Sequence, residues 1–285
     1  MSRLRVFFLT AAALVGFAAN SLLTRGALGA GRLDAASFTG IRLLTGALTL
    51  VLIARWRRGG SSTVLGSWRS AAWLGGYAVC FTVAYLRIGA GVGALILFGS
   101  VQATMIGVGL ARGERPARID WAGFALACCG LLVLTLPGAT SPHLLGFALM
   151  IAAGICWGLY SLAGRGARDP VATTAGNFLR ATAFGAVFFA GGFGSAHFTA
   201  GGVALAVASG SLASGVGYTF WYAALPSLAA WRAAVLQLIV PVLTALAAAG
   251  ILNEPITPRL AAAAALIAAG VWLTVWPARH QTRRP

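Results

Sequence analysis

Ten apolar stretches of about 20 residues, almost free of charged side chains, follow one another along the chain with short polar interruptions. A bilayer's hydrocarbon core is about 30 Å thick, and a helix needs about 20 mostly apolar residues to cross it. A soluble domain carries about 25% charged residues, whereas this chain has 9% against 59% hydrophobic, so water could not solvate its surface. The stretches cover 6–24, 35–54, 70–87, 89–110, 120–136, 144–163, 172–191, 202–224, 228–250 and 260–277, here segments 1 to 10. The run 181–231 is too long for one helix, and Gly191-Gly192, Gly194 and Gly201-Gly202 divide it. Arg3 and Arg5 ahead of segment 1 imitate a secretory signal, but 6–24 is long enough to span and reads as a retained helix.

The formal charge of +16 comes from 21 arginines and no lysine. Such a charge raises the question of nucleic-acid binding. The arginines lie mostly beside apolar runs, however, where membrane topology explains them better. With the N-terminus cytoplasmic, fourteen fall on that side, and only Arg25, Arg32, Arg87 and Arg259 fall on the other. Both termini are therefore expected in the cytoplasm of a multi-pass protein of a bacterial cytoplasmic (inner) membrane, with no nucleic-acid partner. Cys80, Cys128, Cys129 and Cys156 lie in apolar runs without metal-ligand spacing and read as small buried hydrophobes. His143, His197 and His280 stand apart in presumed loops or the tail, so neither a metal site nor a cofactor is expected. The glycines at 89–93 lack the Lys-Ser/Thr of a phosphate loop.

The chain repeats itself at an offset of 140 residues. Phe17, Ser21 and Arg25 match Trp157, Ser161 and Arg165; Glu114 matches Glu254; Gly130 matches Gly270. Arg42 and Arg180 pair at an offset of 138. Five spans per half is an odd number, so the halves must lie inverted in the membrane. The expected fold is all-α, ten transmembrane helices as two inverted five-helix repeats at 1–138 and 143–278, with a short tail at 279–285. Secondary transporters use this architecture and place their site between the halves near mid-membrane.

Phe17-x-x-Asn20-Ser21 with Arg25 returns as Trp157-x-x-Tyr160-Ser161 with Arg165. Arg42 and Arg180 occupy the second helix of each half, and Gly113-Glu114-x-Pro116 and Asn253-Glu254-Pro255 follow segments 4 and 9. In these motifs, and over nearly its whole length, the chain resembles the EamA-type branch of the drug/metabolite transporter superfamily. The resemblance implies a central cavity lined by segments 1, 3, 4, 6, 8 and 9, and transport of small metabolites, often amino acids, with export as the direction. Pro241 in segment 9 fits the family pattern; its counterpart in segment 4 is Val101.

Helical spacing puts polar or aromatic stripes on the lining segments. Segment 1 carries Phe17, Asn20, Ser21 and Thr24, and segment 6 carries Trp157, Tyr160, Ser161 and Gly164. Segment 8 lines up Ser211, Ser214, Tyr218, Trp221 and Tyr222, and segment 3 offers Tyr77, Phe81 and Tyr85. Segments 4 and 9 contribute Gln102, with Phe98 and Met105, and Gln237, with Pro241 and Thr244. Polar groups in hydrocarbon face the bundle interior and find partners there. Gln102, Gln237, Trp157, Tyr160, Asn20, Tyr218, Ser214 and Tyr77 are the substrate-binding candidates, with interhelical bonding as the alternative. Trp221 and Tyr222 also fit an interfacial belt. Pro241 removes a mid-helix hydrogen bond and is a hinge candidate. Arg42 and Arg180 either neutralise a substrate anion or tie helices through carbonyls. Glu114 and Glu254, near Arg115, Arg118 and Arg259, suit an ion pair or a cap for the following helix. Gly154-x-x-x-Gly158 and Gly89-x-x-x-Gly93 allow close helix approach.

All five acids, Asp34, Glu114, Asp120, Asp169 and Glu254, fall at segment ends or loops. A proton-coupled exporter of lipophilic cations needs a carboxylate within the membrane. The expectation is an alternating-access carrier of neutral or zwitterionic metabolites, with a proton or counter-substrate as coupling partner. A drug or cation exporter of the same fold, and a membrane scaffold or lipid-binding subunit, are the alternatives. The scattered histidines and peripheral acids do not assemble an enzyme site.

Overall fold

Inside lipid every backbone N–H and C=O must be satisfied within its own segment, so these apolar runs form helices. The computed structural model describes residues 1–29, 31–57, 65–88, 90–135, 143–192, 194, 196–252 and 257–275. Its first seven helices are α1 (Arg3–Leu28), α2 (Ala35–Arg57), α3 (Trp68–Tyr85), α4 (Ala90–Ala111), α5 (Arg118–Thr135), α6 (Leu144–Gly164) and α7 (Pro170–Gly192). Segment 8 is composite: α8 (Ala200–Ala208), a π-helical stretch Ser209–Val216, and α9 (Gly217–Ala224). Segment 9 is broken into α10 (Ala230–Gln237) and α11 (Ile239–Leu252), and segment 10 is α12 (Pro258–Val275). Gly89, Asn253, Glu254, Pro255, His280, Arg58 and the tail 279–285 lie outside the described residues.

Seven of the helical segments are long and apolar enough to cross a membrane, and α12 is a shorter apolar helix. The other two, α3 and α7, are more polar. Their buried polar residues, Thr82 in α3 and Thr174 and Asn177 in α7, face the neighbouring helices, while α7 keeps Leu179 and Val187 exposed. The lipid-facing surface is instead rich in exposed Leu, Val and Phe.

Short polar residues start the helices. Ser67 and Thr199 accept from the amides of Ser70 and Gly202, satisfying orphan donors at the starts of α3 and α8. Asp34 accepts from Ala36 and Ser37, and Asp169 accepts from Ala172, at the starts of α2 and α7. Asp34 also takes the amide of His197, and the loop before α2 meets the loop before α8 in an antiparallel bridge between Leu33 and Phe198.

Glycines set the closest helix crossings. A Cβ on Gly123 would stand 2.6 Å from the Gly270 carbonyl, and one on Gly130 would stand 2.9 Å from that of Ala263. A Cβ on Gly270 would in turn collide with Gly123. These contacts of α5 with α12 exchange under the 140-residue offset. Gly154 and Gly158 bring α6 onto α4, meeting Ser100 and Thr104.

Gly113, with φ of +86°, closes α4 in the left-handed region open to glycine. The turn is pinned by the Glu114 amide on the Gly109 carbonyl, and it delivers the Glu114 side chain to the start of α10. There the carboxylate accepts from the amides of Ala230 and Trp231 and pairs with Arg165 at 2.8 Å. The partner is thus Arg165, not the sequence-neighbouring arginines, and the helix capped is α10 rather than the following α5. Burial raises the Glu114 carboxyl, but the bonds from Ala230, Arg165 and Trp231 outweigh it and hold it below the usual 4.5. A depressed acid stabilises the fold above its unfolded value and loses that contribution as pH falls through its lower folded value. Glu114→Gln should therefore lower the Tm by a few degrees at neutral pH and close the gap to wild type on acidification below about 4.5. Thermal denaturation in detergent across an acid titration checks this.

Candidate functional site

The centre of the bundle holds a ring of aromatic side chains on segments that approach through small residues. Phe17 of α1 makes edge-on contacts with Trp157, Tyr218 and Trp221, at centroid distances of 5.3, 5.7 and 5.4 Å. Trp157 lies 5.1 Å from both Tyr77 and Tyr218. Between these rings is a cavity of about 40 Å³. Its wall comes from α1 (Phe17, Asn20, Ser21), α3 (Tyr77, Phe81), α4 (Leu97, Phe98), α6 (Trp157), α9 (Tyr218), α10 (Gln237) and α11 (Val240). These are segments 1, 3, 4, 6, 8 and 9. Sites for small molecules span about 300–1,000 Å³, so this cavity as it stands is too small to hold a metabolite.

Gln237 is the polar centre of the wall. It is fully buried, accepts from Trp157 Nε1 at 2.6 Å, and donates to the Ala233 carbonyl and to Met105 Sδ. The helix breaks at Leu238, one residue on. Pro241 has no amide to offer the Gln237 carbonyl, so the break and the side chain that faces the cavity share one local cause.

The π-helical stretch Ser209–Val216 was not legible as such. An i→i+5 turn widens the helix and inserts an extra residue into its face. α2 packs directly onto it, since a Cβ on Gly210 would collide with Thr45 and the Arg42 carbonyl. The changed register turns Ser211 outward, where it bonds its own Val207 carbonyl, and brings Ser209 inward to donate to Asn20 Oδ1 at 2.6 Å. Ser209 was missed by the 3.6-residue count that selected Ser211. The run of small residues from Ser209 to Gly217 is the signal that could have found it.

The remaining candidates separate. Ser214 and Tyr218 both hold Arg42: its Nε donates to Ser214 Oγ at 3.1 Å and its Nη2 to the Tyr218 hydroxyl at 3.3 Å. Arg180 is half-buried and donates instead to the carbonyls of Leu65 and Gly176, tying the segment before α3 to α7. The two arginines paired by sequence therefore occupy unlike surroundings. Tyr160 lies behind Trp157, packed on Tyr222, whose hydroxyl donates to the Tyr160 carbonyl. Trp221 and Tyr222 are buried within the protein, 0% and 2% exposed, which corrects their reading as an interfacial belt. Gln102 does not line the central cavity. Its amide donates to the Ala234 carbonyl at 2.8 Å, and the side chain forms part of an apolar groove of about 420 Å³ beside α4 and α5, with Leu95, Trp121, Phe124 and Leu131. Gln237 and Gln102 lie on matching helices but are not 140 residues apart; the counterpart of Gln237 is Leu97.

No described carboxylate enters the cavity: Asp34, Glu114 and Asp169 serve the helix starts above, and Asp120 accepts from Ala117. No cluster of His, Cys, Asp and Glu that could hold a metal occurs among the described residues.

The profile of the EamA-like transporter family matches residues 144–276. Uncharacterized protein PA1977 of Pseudomonas aeruginosa is 48% identical over 273 residues, covering 96% of this chain and 95% of its own. The chain belongs to the EamA-like transporter family. Another relative, a Salmonella typhimurium protein named "Probable amino-acid metabolite efflux pump", is 27% identical over 219 residues, covering 71% of this chain and 73% of its own. A solved crystal structure, 20% identical, shares the fold with a TM-score of 0.83 over 98% of this chain and 100% of that one. Members of the EamA-like family are membrane transporters, not enzymes, which makes a small molecule and the bilayer this protein's partners.

Proposed function

We propose that this EamA-family protein is a secondary exporter of small neutral or zwitterionic metabolites, amino acids among them, working by alternating access in a bacterial cytoplasmic membrane. The observation that carries the reading is the central cavity, walled by aromatic rings and amides with no described carboxylate. Hydrogen-bonding groups and ring faces suit an uncharged or internally balanced solute, whereas a lipophilic cation would be left without a counter-charge. The printed name of the Salmonella relative agrees with this substrate class.

Two halves, 1–138 and 143–278, rock about the site as inverted repeats, with Pro241 and the break at Leu238 as hinge. The reciprocal contacts of Gly130 with Ala263 and Gly270 with Gly123 support such a twofold relation. The arginine distribution supports both termini lying in the cytoplasm. Trp157, Gln237, Tyr218, Tyr77 and Asn20 contact the solute; Ser214 and Tyr160 support them from behind; Gln102 locks α4 to α10.

Proteoliposomes loaded with labelled amino acids or with a cationic dye, with and without a pH gradient, test the reading. Saturable amino-acid flux without gradient-driven dye accumulation is expected. Dye accumulation by the wild-type protein would favour the cation-exporter alternative and overturn the charge argument.

A further inference from the structure

Arg42 is 2% exposed, on a helix that crosses the membrane, and its guanidinium stays protonated in any protein setting. A buried cation is costly unless a counter-charge or a full set of acceptors surrounds it. Arg42 has neither. Its Nε meets Ser214 Oγ at 3.1 Å, its Nη2 meets the Tyr218 hydroxyl at 3.3 Å, and its guanidinium carbon lies 5.6 Å from the centre of the Tyr77 ring. Those contacts are all neutral, and Nη1 has no partner. The four described carboxylates are engaged elsewhere, Asp34 with Ala36, Ser37 and His197, Glu114 with Arg165, Asp120 with Ala117, and Asp169 with Ala172.

Two of the neutral contacts, Tyr77 and Tyr218, are also walls of the central cavity, so the guanidinium stands one side chain behind it. Arg180 shows what a purely structural arginine does in this fold: it spends its donors on backbone carbonyls. At Arg42 the Ser214 bond fixes the Nε edge and sets the plane of the fork. The Nη1–Nη2 edge keeps one nitrogen unpartnered and one on a hydroxyl that can move aside.

We infer that Arg42 is the carboxylate anchor of the transported molecule. This rests on the transporter reading above and shifts its substrate class to carboxylates, zwitterionic or anionic, with an apolar or aromatic body. A carboxylate takes the Nη1–Nη2 edge in a bidentate pair, the Tyr218 hydroxyl yields its place, and the body packs against Phe17, Tyr77 and Trp157. No described carboxylate waits for a substrate ammonium, so the amino group is dispensable and the acid is not.

The test is binding to purified full-length protein, by thermal shift and calorimetry. The probes are a panel of L-amino acids, their C-terminal amides, and the matching deaminated acids such as 3-phenylpropionate beside L-phenylalanine. Acids, aminated or not, should bind, and amides should bind on the order of 10- to 100-fold more weakly, as for loss of a hydrogen bond to a charged group. Arg42→Gln should lose acid binding to the same extent. Its unliganded Tm should not fall below wild type, because an uncompensated buried charge has been removed. Should Arg42→Gln fail to fold, the acid-against-amide comparison on wild type decides alone. Equal binding of acids and amides, or undiminished acid binding by Arg42→Gln, overturns the anchor and leaves the transporter reading standing. If chloride protects the protein as well as the acids do, Arg42 holds an inorganic anion and the carboxylate assignment fails. Binding of no member of the panel overturns both readings.

Discussion

Gln237→Glu should give this protein a new capacity, gradient-driven accumulation of a cationic dye such as ethidium, while amino-acid flux falls by at least about tenfold. Gln237 is fully buried at the wall of the central cavity, and its Oε1 already accepts from Trp157 Nε1. Glutamate has the same shape and keeps that acceptor but loses the donations to the Ala233 carbonyl and Met105 Sδ, so the variant's Tm is measured beside its flux. What it adds is a carboxylate at mid-bundle, where the wild-type wall has none among the described residues. Such a group binds a cation and a proton in turn, the requirement for proton-coupled cation export. A neutral solute would leave the new charge without a counter-charge, and a solute carboxylate in the same cavity would be repelled by it, a like-charge contact that costs several kcal/mol. Parallel flux assays of both variants in one preparation of proteoliposomes read the two effects together. Loss of amino-acid flux without any gain of dye transport would show that the Gln237 amide acts through its donations to Ala233 and Met105 rather than by keeping the wall neutral.

Gly270→Leu should abolish accumulation of folded protein. α5 and α12 cross through Gly123 and Gly270, and a Cβ at either position meets the other's carbonyl, backbone that cannot move aside without separating the helices. Overpacking commonly costs about 1–3 kcal/mol, and a branched side chain against rigid backbone at a crossing belongs at or beyond the upper end. Gly99 is the control. It lines the groove beside α4 and α5, with nothing within 4 Å of an added Cβ, so Gly99→Leu should fold normally. Size-exclusion chromatography of detergent extracts separates the outcomes: a monodisperse peak for Gly99→Leu and aggregate or no peak for Gly270→Leu. A normal peak for Gly270→Leu would mean that the crossing does not hold α5 and α12 together.

Much of the molecule was legible because a bilayer imposes length and composition directly on each segment. The ten runs and the peripheral position of the acids are properties of residues taken a helix at a time, and the helices appear where the apolar runs stand. The aromatic stripes on segments 1, 3, 6 and 8 were also legible, since Phe17, Tyr77, Trp157 and Tyr218 recur on inward faces at helical spacing. Registers failed where the helix is not an α-helix. Ser209–Val216 winds as a π-helix, so counting by 3.6 put Ser211 where Ser209 belongs.

The amino-acid sequence by itself determined that this chain crosses a membrane repeatedly and carries its charged groups outside the central part of the bundle, apart from a few arginines. Those facts depend on the free energy of each side chain in lipid, a local quantity. Tertiary structure alone decided which polar groups meet. Only packing shows that Arg42 lies among neutral partners while Arg180 binds carbonyls, that Glu114 caps α10 and pairs with Arg165, and that Gln102 faces a groove rather than the cavity. Each depends on helix rotation and on glycine-permitted approach between residues far apart in the chain, which no single segment encodes.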